Sequence, residues 1–469
     1  MKVSLILMIG QALGGASPVV VGDTFDVRLP SPSTEGGTLA LRVTAPETPR
    51  YGSGSPVLVE VPGGWGVGSL RGSTTLVDHG VSVVRFLFPG GEERGISSDG
   101  EFDYRGAHCN RAVADVLEFA LGRREDASGS TLDEIVGGGL DLDVVGVGAL
   151  SNGGPVTTAA LGRFGSQLSG LDFFVGWENP TSDQTLAMDF GPRDCDPRDG
   201  DRNGDSGDDH RTDAYRGYGF PDCVFDLSDL AWDPSGRWRA GKGEHVGTFY
   251  LERTGNDRYD TVERDRCLSG DLDDSSRLEP YEDQLLQAVV LDDPSLPRYP
   301  SLAVLNAAME LGLFEELGWP DSVATLSEAR HFWFHHDATY HYAAIAENLP
   351  DLKGMLVSSG VDHVQITVDH VHIRNAYDGF RDHDLWCRLN PDALYSSRLA
   401  PTHALNEMPD NPANLVVSDW TVDRGLKIPD SFPVDLAFTA AVLEMVDRTH
   451  RGDWSLNLNM GKAVVAPRR

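Results

Sequence analysis

The stretch from Asp143 to Phe164 constrains the fold of this chain more than any other part of its sequence. An apolar run over 143–148 leads into Ala149-Leu150-Ser151-Asn152-Gly153-Gly154, and a helix-like run follows over 155–164. Small residues two positions before and two positions after the serine are what a sharp, strained turn between a strand and a helix requires. Such a turn holds a serine hydroxyl clear of the backbone at the carboxyl edge of a sheet, which a serine used only for packing or capping does not need.

Apolar strands and amphipathic helices alternate on both sides of this turn. Residues up to about 56 are typical of a β-hairpin, with Leu39, Leu41 and Val43 on one face of a strand. Further strands are predicted over 56–61, 81–88, 171–176 and 352–359, and helices over 111–122, 301–317, 340–349 and 434–448. This alternation predicts an α/β protein with a mainly parallel sheet that helices cover on both faces.

The composition changes after Trp177. Residues 178–300 are rich in Asp, Gly, Arg and Pro and contain few long apolar runs, so we interpret them as an insertion. The insertion divides the core into a first part over 17–177 and a second part over 301–469.

The overall composition limits the class of partner. The chain has 469 residues, and 40% of them are hydrophobic, which is enough for a large core. Lys and Arg total 39 against 72 Asp and Glu, which gives a net charge of -33. A phosphate backbone would repel such a surface, so nucleic acid is not an expected partner. No apolar run reaches the ~18 residues of a membrane span.

The first residues and the cysteines bear on location. Residues 1–16 combine Lys2, a short apolar run and small residues, which is typical of a minimal secretory signal and of an extracellular or periplasmic protein. The alternative is a first strand in a cytoplasmic protein. Five cysteines are too few for a disulfide scaffold, although one disulfide among Cys195, Cys223 and Cys267 is expected if the protein is exported. Cys109 is expected to be a small core residue.

The serine turn, together with Pro62-Gly63-Gly64-Trp65-Gly66, resembles the α/β-hydrolase family over roughly residues 36–176 and 300–450. The first position of the turn is Ala149, where the family prefers glycine. The resemblance implies an α/β-hydrolase fold with Ser151 as a nucleophile. It also implies that the backbone amides of Asn152 and of Gly64 or Trp65 bind the oxyanion.

The same resemblance implies an acid and then a base, in that chain order. Asp362 follows the late strand that carries the acid in this family, and Asp369 is its competitor. The base is expected on a loop before the final helix, where His403 is best placed. His370 and His372 are alternative bases, although they leave too little chain after Asp362 for a helix and another strand.

A second pattern lies inside the insertion, at residues 199–209. Oxygen ligands for a hard cation stand at alternate positions, with a glycine at position six for the sharp turn. The candidate ligands are Asp199, Asp201, Asn203, Asp205, Asp208 and Asp209. The pattern resembles the calcium loops of EF-hand and dockerin-like modules, but position 12 is His210 and no long flanking helices are evident. We therefore predict a structural Ca²⁺ that orders the insertion.

Two functions follow from these patterns. The first is a serine hydrolase that cleaves a small-molecule ester or a peptide, with the ester preferred and the insertion as a cap over the pocket. The second is a non-catalytic, calcium-stabilised binding protein on the same fold.

Overall fold

An eight-stranded sheet forms the centre of the structure. The computed structural model describes residues 22–181 except 65 and 104, and then 230–240, 243–251, 334–359, 371–392, 395, 415–416, 426, 428–429 and 434–455. In chain order, the strands of the sheet are β1 (Thr24–Pro30), β2 (Thr38–Thr44), β3 (Ser55–Val61), β4 (Ser82–Phe86), β5 (Leu140–Leu150), β6 (Phe173–Trp177), β7 (Lys353–Val357) and β8 (Trp386–Leu389).

The strand order across the sheet is β1-β2-β4-β3-β5-β6-β7-β8. Strand β2 is antiparallel to both of its neighbours, β1 and β4, whereas the remaining pairings are parallel. Strand β5 pairs with β3 and β6, so the serine turn at its end lies in the middle of the sheet, at the carboxyl edge. Parallel α/β sheets bind ligands at this edge.

Helices cover both faces of the sheet, as the sequence predicts. The helices are α1 (Thr75–Asp78), α2 (Ala107–Ala120), α3 (Leu132–Ile135), α4 (Gly153–Phe164), α5 (Tyr342–Asn348), α6 (Val371–Arg381) and α7 (Val434–Arg451). Buried side chains of α2, α4, α5 and α6 form one core with the sheet, and those of α1 and α7 form the other. Neighbouring residues of one strand enter different cores, as Val57 and Leu58 do, because strand side chains alternate between faces.

Short elements accompany these layers. They comprise antiparallel ladders joining Glu92–Glu93 to Ile96–Ser97, Leu230–Ala240 to Gly243–Leu251 and Leu415–Val416 to Ile428–Pro429, and 3-10 helices over Pro32–Thr34, Gly165–Gln167 and Ala338–Tyr340. The ladder over 230–251 lies within the predicted insertion. No helix in the described part of the chain is long and apolar enough to cross a membrane.

A buried ion pair ties α7 to the residues before β3. The Arg50 guanidinium donates from Nε and Nη2 to the two carboxylate oxygens of Asp447, at 2.8 and 2.9 Å. The hydroxyls of Tyr51 and Tyr395 donate to the same carboxylate. Both ionic side chains are almost fully buried, so removal of either would leave an uncompensated charge in the core.

The element bounds differ from the predicted ones where long-range contacts or caps act. Helix α2 begins at Ala107, several residues before the predicted start, because the Asp103 carboxylate accepts from the amides of His108 and Cys109 at 2.5 and 3.2 Å. Cys109 is fully buried, as expected. The predicted helix over 301–317, the predicted disulfide and the candidate signal at 1–16 lie outside the described residues.

Candidate active site

Ser151 occupies the turn between β5 and α4 in a left-handed backbone conformation. Its φ is +46°, and its N–H donates to the Trp177 carbonyl at 2.8 Å. The Gly154 N–H donates to the Ser151 carbonyl, also at 2.8 Å, which closes the turn. A non-glycine residue in this region carries strain of about 1–3 kcal/mol, which persists only where the surroundings fix the backbone.

The small residues around Ser151 are required by close packing. A Cβ on Gly153 would lie 2.6 Å from the Val61 carbonyl oxygen, and a Cβ on Gly154 would lie 2.4 Å from Cβ of Asn179. Both distances are shorter than real Cβ contacts, so larger residues would force the strand, the helix or the loop apart. The sequence Ser-Asn-Gly-Gly is therefore matched to a turn wedged between the ends of β3 and β6.

Asn179 clamps this turn from the end of β6. Its side-chain amide Nδ2 donates to the carbonyls of Ser151 at 2.7 Å, Ala149 at 3.0 Å and Trp177 at 3.1 Å. The side chain is buried, so these bonds act in a low-dielectric interior. Sequence reasoning missed Asn179, because nothing in Glu178-Asn179-Pro180 marks a residue that reaches 28 positions back.

The predicted oxyanion loop lies against Ser151. A Cβ on Gly63 would lie 2.6 Å from the Leu150 carbonyl oxygen and 2.9 Å from Cβ of Ser151, so only glycine fits there. Gly64 has a φ of +68°. Asn152 follows Ser151 directly and is 6% exposed. The structure thus brings Gly63 against Ser151, with Asn152 and Gly64 as their chain neighbours, whereas Trp65 lies outside the described residues.

A buried arginine, Arg105, binds the same loop from the other direction. Its Nη2 donates to the carbonyls of Gly64 at 2.8 Å, Gly66 at 3.1 Å and Gly63 at 3.3 Å. Its guanidinium carbon lies 4.2 Å from the centroid of the Phe88 ring. Sequence reasoning missed this residue too, and a single arginine before a helix gives no local signal.

The predicted acid lies in the connection between β7 and α6, and the predicted base in the connection between β8 and α7. Strand β7 ends at Val357, and Asn390 holds the next residue, Ser358, by accepting from its N–H at 2.9 Å and donating to its carbonyl at 3.0 Å. Asp362, Asp369 and His370 follow and lie outside the described residues. His403 also lies outside them, in the connection between β8 and α7.

His372 is described, and it binds the backbone near the end of β6. Its Nδ1 accepts from the Thr181 N–H at 3.0 Å, and the side chain is buried. Because a backbone amide can only donate, Nδ1 carries no proton, and a neutral ring carries its proton on Nε2. A base of the serine–histidine–acid type needs the opposite tautomer, with Nε2 free to accept from the serine hydroxyl.

The predicted calcium loop, residues 199–209, lies outside the described residues. Within the described ranges, no group of three or more His, Cys, Asp or Glu side chains is arranged to hold a metal ion.

Comparison with known proteins finds structural neighbours only. No protein-family model matches the chain, and a search of curated proteins finds no match. Among solved structures, the chain is similar to brefeldin A esterase, described as a bacterial homologue of human hormone-sensitive lipase (19% identity, 37% of this chain and 45% of that chain, TM-score 0.26). It is also similar to carboxyl esterase 2 from the mycorrhizal fungus Tuber melanosporum (11% identity, 80% of this chain and 78% of that chain, TM-score 0.35). A third neighbour is a puromycin-hydrolyzing peptidase from Mycobacterium tuberculosis (11% identity, 80% of this chain and 37% of that chain, TM-score 0.38).

The chain spans less than half the length of the first and third of these proteins. The strand order, the parallel pairings and the strand–serine–helix turn at the centre of the sheet together give this chain an α/β-hydrolase fold.

Proposed function

We propose that this protein is a serine hydrolase that cleaves a carboxylic ester or a peptide bond through an acyl-enzyme on Ser151. The observation that carries the proposal is the left-handed backbone of Ser151 at the carboxyl end of β5. The fold holds a strained, 7% exposed serine there with a buried amide clamp and two closely packed glycines. Backbone strain of this kind clusters at functional sites.

The chemistry assigns one role to each residue. Ser151 Oγ attacks the carbonyl carbon while His403 takes its proton and later returns it to the leaving group, and Asp362 orients the imidazole. The amides of Asn152 and of Gly64 or Trp65 bind the developing oxyanion, each worth about 3–4 kcal/mol. Water then cleaves the acyl-enzyme.

Two features support His403 over His372 as the base. The Thr181 N–H occupies Nδ1 of His372, which is the nitrogen that must donate to the acid. In addition, His372 belongs to α6 and precedes β8, whereas His403 follows β8. Both histidines follow Ser151 and Asp362, so the chain order alone does not separate them; His403 is favoured because it lies on the connection before the final helix, where the base is expected.

The substrate is proposed to be a small molecule, with esters preferred over peptides. The connection from β6 to β7 contains the predicted insertion and starts at the same sheet edge as Ser151. Segments that extend from this edge are suited to select substrates. A structural Ca²⁺ on Asp199, Asp201, Asn203, Asp205, Asp208 and Asp209 is proposed to order the insertion.

A fluorophosphonate probe tests the nucleophile. We expect stoichiometric labelling of the peptide that contains Ser151, none in Ser151→Ala, and wild-type labelling in Ser82→Ala, which removes another buried serine hydroxyl. His403→Ala should slow turnover by about 10⁴-fold or more. Absence of labelling with and without Ca²⁺ would reject the hydrolase proposal and favour a non-catalytic, calcium-stabilised binding protein.

Chelation tests the calcium site separately. We expect the melting temperature to fall when Ca²⁺ is removed and to recover when it is restored, because a ligand that binds only the folded state stabilises it. Substituting Asp201 and Asp205 together by Asn should abolish the difference. An unchanged melt with and without chelator would reject the site.

A further inference from the structure

Arg105 is a buried cation whose contacts converge on the oxyanion loop. Its Nη2 binds the carbonyls of Gly63, Gly64 and Gly66, and its guanidinium stacks on Phe88. The residue is 2% exposed and has a φ of +77°, an unfavourable backbone region for arginine. A buried charge and local strain are both unfavourable, so the surrounding contacts must hold this side chain firmly in place.

The carbonyls that Arg105 binds determine where the loop amides point. A trans peptide unit is planar and directs its C=O and the following N–H in opposite directions. The Gly63 carbonyl shares its peptide unit with the N–H of Gly64, and the Gly64 carbonyl shares its unit with the N–H of Trp65. Drawing the Gly63 carbonyl to the guanidinium therefore turns the Gly64 N–H away from it.

The Gly64 amide is one of those proposed to bind the oxyanion. The Gly63 carbonyl accepts from Arg105, and a Cβ on Gly63 would lie 2.9 Å from Cβ of Ser151. The loop therefore contacts both the cation and the nucleophile. We infer that Arg105 is a positioning residue that preorganises the oxyanion hole. The inference rests on the proposed serine hydrolase function and adds a residue that acts on the transition state through the loop backbone.

The charge contributes a second effect on the same peptide units. A hydrogen bond from a cation to a carbonyl polarises the whole unit, which makes its N–H a stronger donor. Oxyanion donors accelerate the reaction only in so far as they bind the transition state more tightly than the ground state. Loss of Arg105 should therefore lower kcat and leave KM nearly unchanged.

Steady-state hydrolysis of p-nitrophenyl acetate by the full chain tests this inference, with rates divided by the end-point extent of fluorophosphonate labelling. We expect Arg105→Met to lower kcat per labelled site by about 10–100-fold, somewhat less than the loss of a whole oxyanion donor. Arg105→Lys should recover part of this loss, because an ammonium can still donate to the carbonyls from a shorter side chain. Removing a buried positive charge also raises the pKa of nearby groups, so kcat is compared on the plateau of each variant's pH profile.

Arg50→Lys is the matched control, since Arg50 is also buried and multiply bonded but lies before β3, at the opposite edge of the sheet. It should lower the melting temperature and leave kcat per labelled site unchanged. If Arg105→Met does not fold, the kcat per labelled site of Arg105→Lys is compared with that of Arg50→Lys, and we expect the Arg105→Lys value to be lower. Equal kcat values in those two variants would overturn the inference.

The outcomes separate this inference from the proposed function. A wild-type protein that the probe does not label rejects both. A labelled wild type with unchanged kcat in Arg105→Met, or with a raised KM in place of a lowered kcat, rejects only the role of Arg105.

Discussion

The strain at Ser151 predicts an unusual order of stabilities for two inactive variants. Ser151→Ala and Ser151→Gly both remove the hydroxyl, and they differ only in the Cβ that makes a φ of +46° unfavourable. The left-handed region costs an L-residue about 1–2 kcal/mol, and glycine avoids this cost. Glycine also gives the unfolded chain more freedom, which offsets about 0.4–1 kcal/mol of the gain. We therefore expect Ser151→Gly to be more stable than Ser151→Ala by about 0.5–1 kcal/mol.

Paired urea denaturations followed by tryptophan fluorescence measure this difference, as the shift of the midpoint multiplied by the slope m. Ser82 provides the matched pair, because it is a fully buried serine in β4 that is absent from the positive-φ residues. There the order should invert, with the glycine variant less stable than the alanine variant by about 0.5–1 kcal/mol. If Ser151→Gly is no more stable than Ser151→Ala, the turn is not strained and the main support for the nucleophile assignment is lost.

Two further predictions concern residues that hold the sheet and the turn. Burial, followed by the nearby Asp143 and Asp141, raises the pKa of Asp172 from 3.8 to about 6, although the Val145 N–H bond acts in the opposite direction. The folded state therefore binds this proton more tightly than the unfolded state does. The protonated carboxyl contributes stability that is fully present below about pH 4 and is lost as the pH rises through about 6. Asp172→Asn keeps the acceptor for Val145, so it should stabilise the protein at pH 7.5 by about 1–2 kcal/mol, after allowance for partial solvent contact, and leave it unchanged near pH 3.5. A pH-independent difference between the two urea midpoints would contradict this assignment. Asn179→Ala leaves buried carbonyls without their donor and should destabilise the fold by about 1–3 kcal/mol and slow probe labelling, whereas an unchanged melt and labelling rate would show that the clamp is dispensable.

Much of the fold could be predicted because its signals are local. The predicted strands over 56–61 and 352–359 correspond to β3 and β7, and the final helix begins at Val434 in both. The sequence pattern does not predict β8. That strand has four residues, of which Cys387 and Leu389 are buried, so its apolar alternation is too short to indicate a strand. Its hydrogen-bonded pairing with β7 stabilises it instead.

The candidate site divides in the same way. The turn at Ser151 could be predicted because a strand–turn–helix pattern is encoded in adjacent residues, whereas the catalytic roles of Ser151, Asn152, Gly64 and Trp65 stay predictions. Arg105 and Asn179 could not be predicted, since each acts on backbone groups that are distant in sequence, 41 positions away for the Arg105 contact with Gly64. Any polar residue before a helix or after a strand would look the same until the sheet is assembled.

The ion pair between Arg50 and Asp447 has a consequence for how the protein is made. It joins residues 397 positions apart, and α7 contributes most of the helical side chains that cover one face of the sheet. While residues 24–177 emerge from the ribosome, their strands can pair but that apolar face stays in water. Completion of the core therefore waits for nearly the whole chain, so nascent intermediates should need protection from aggregation during synthesis.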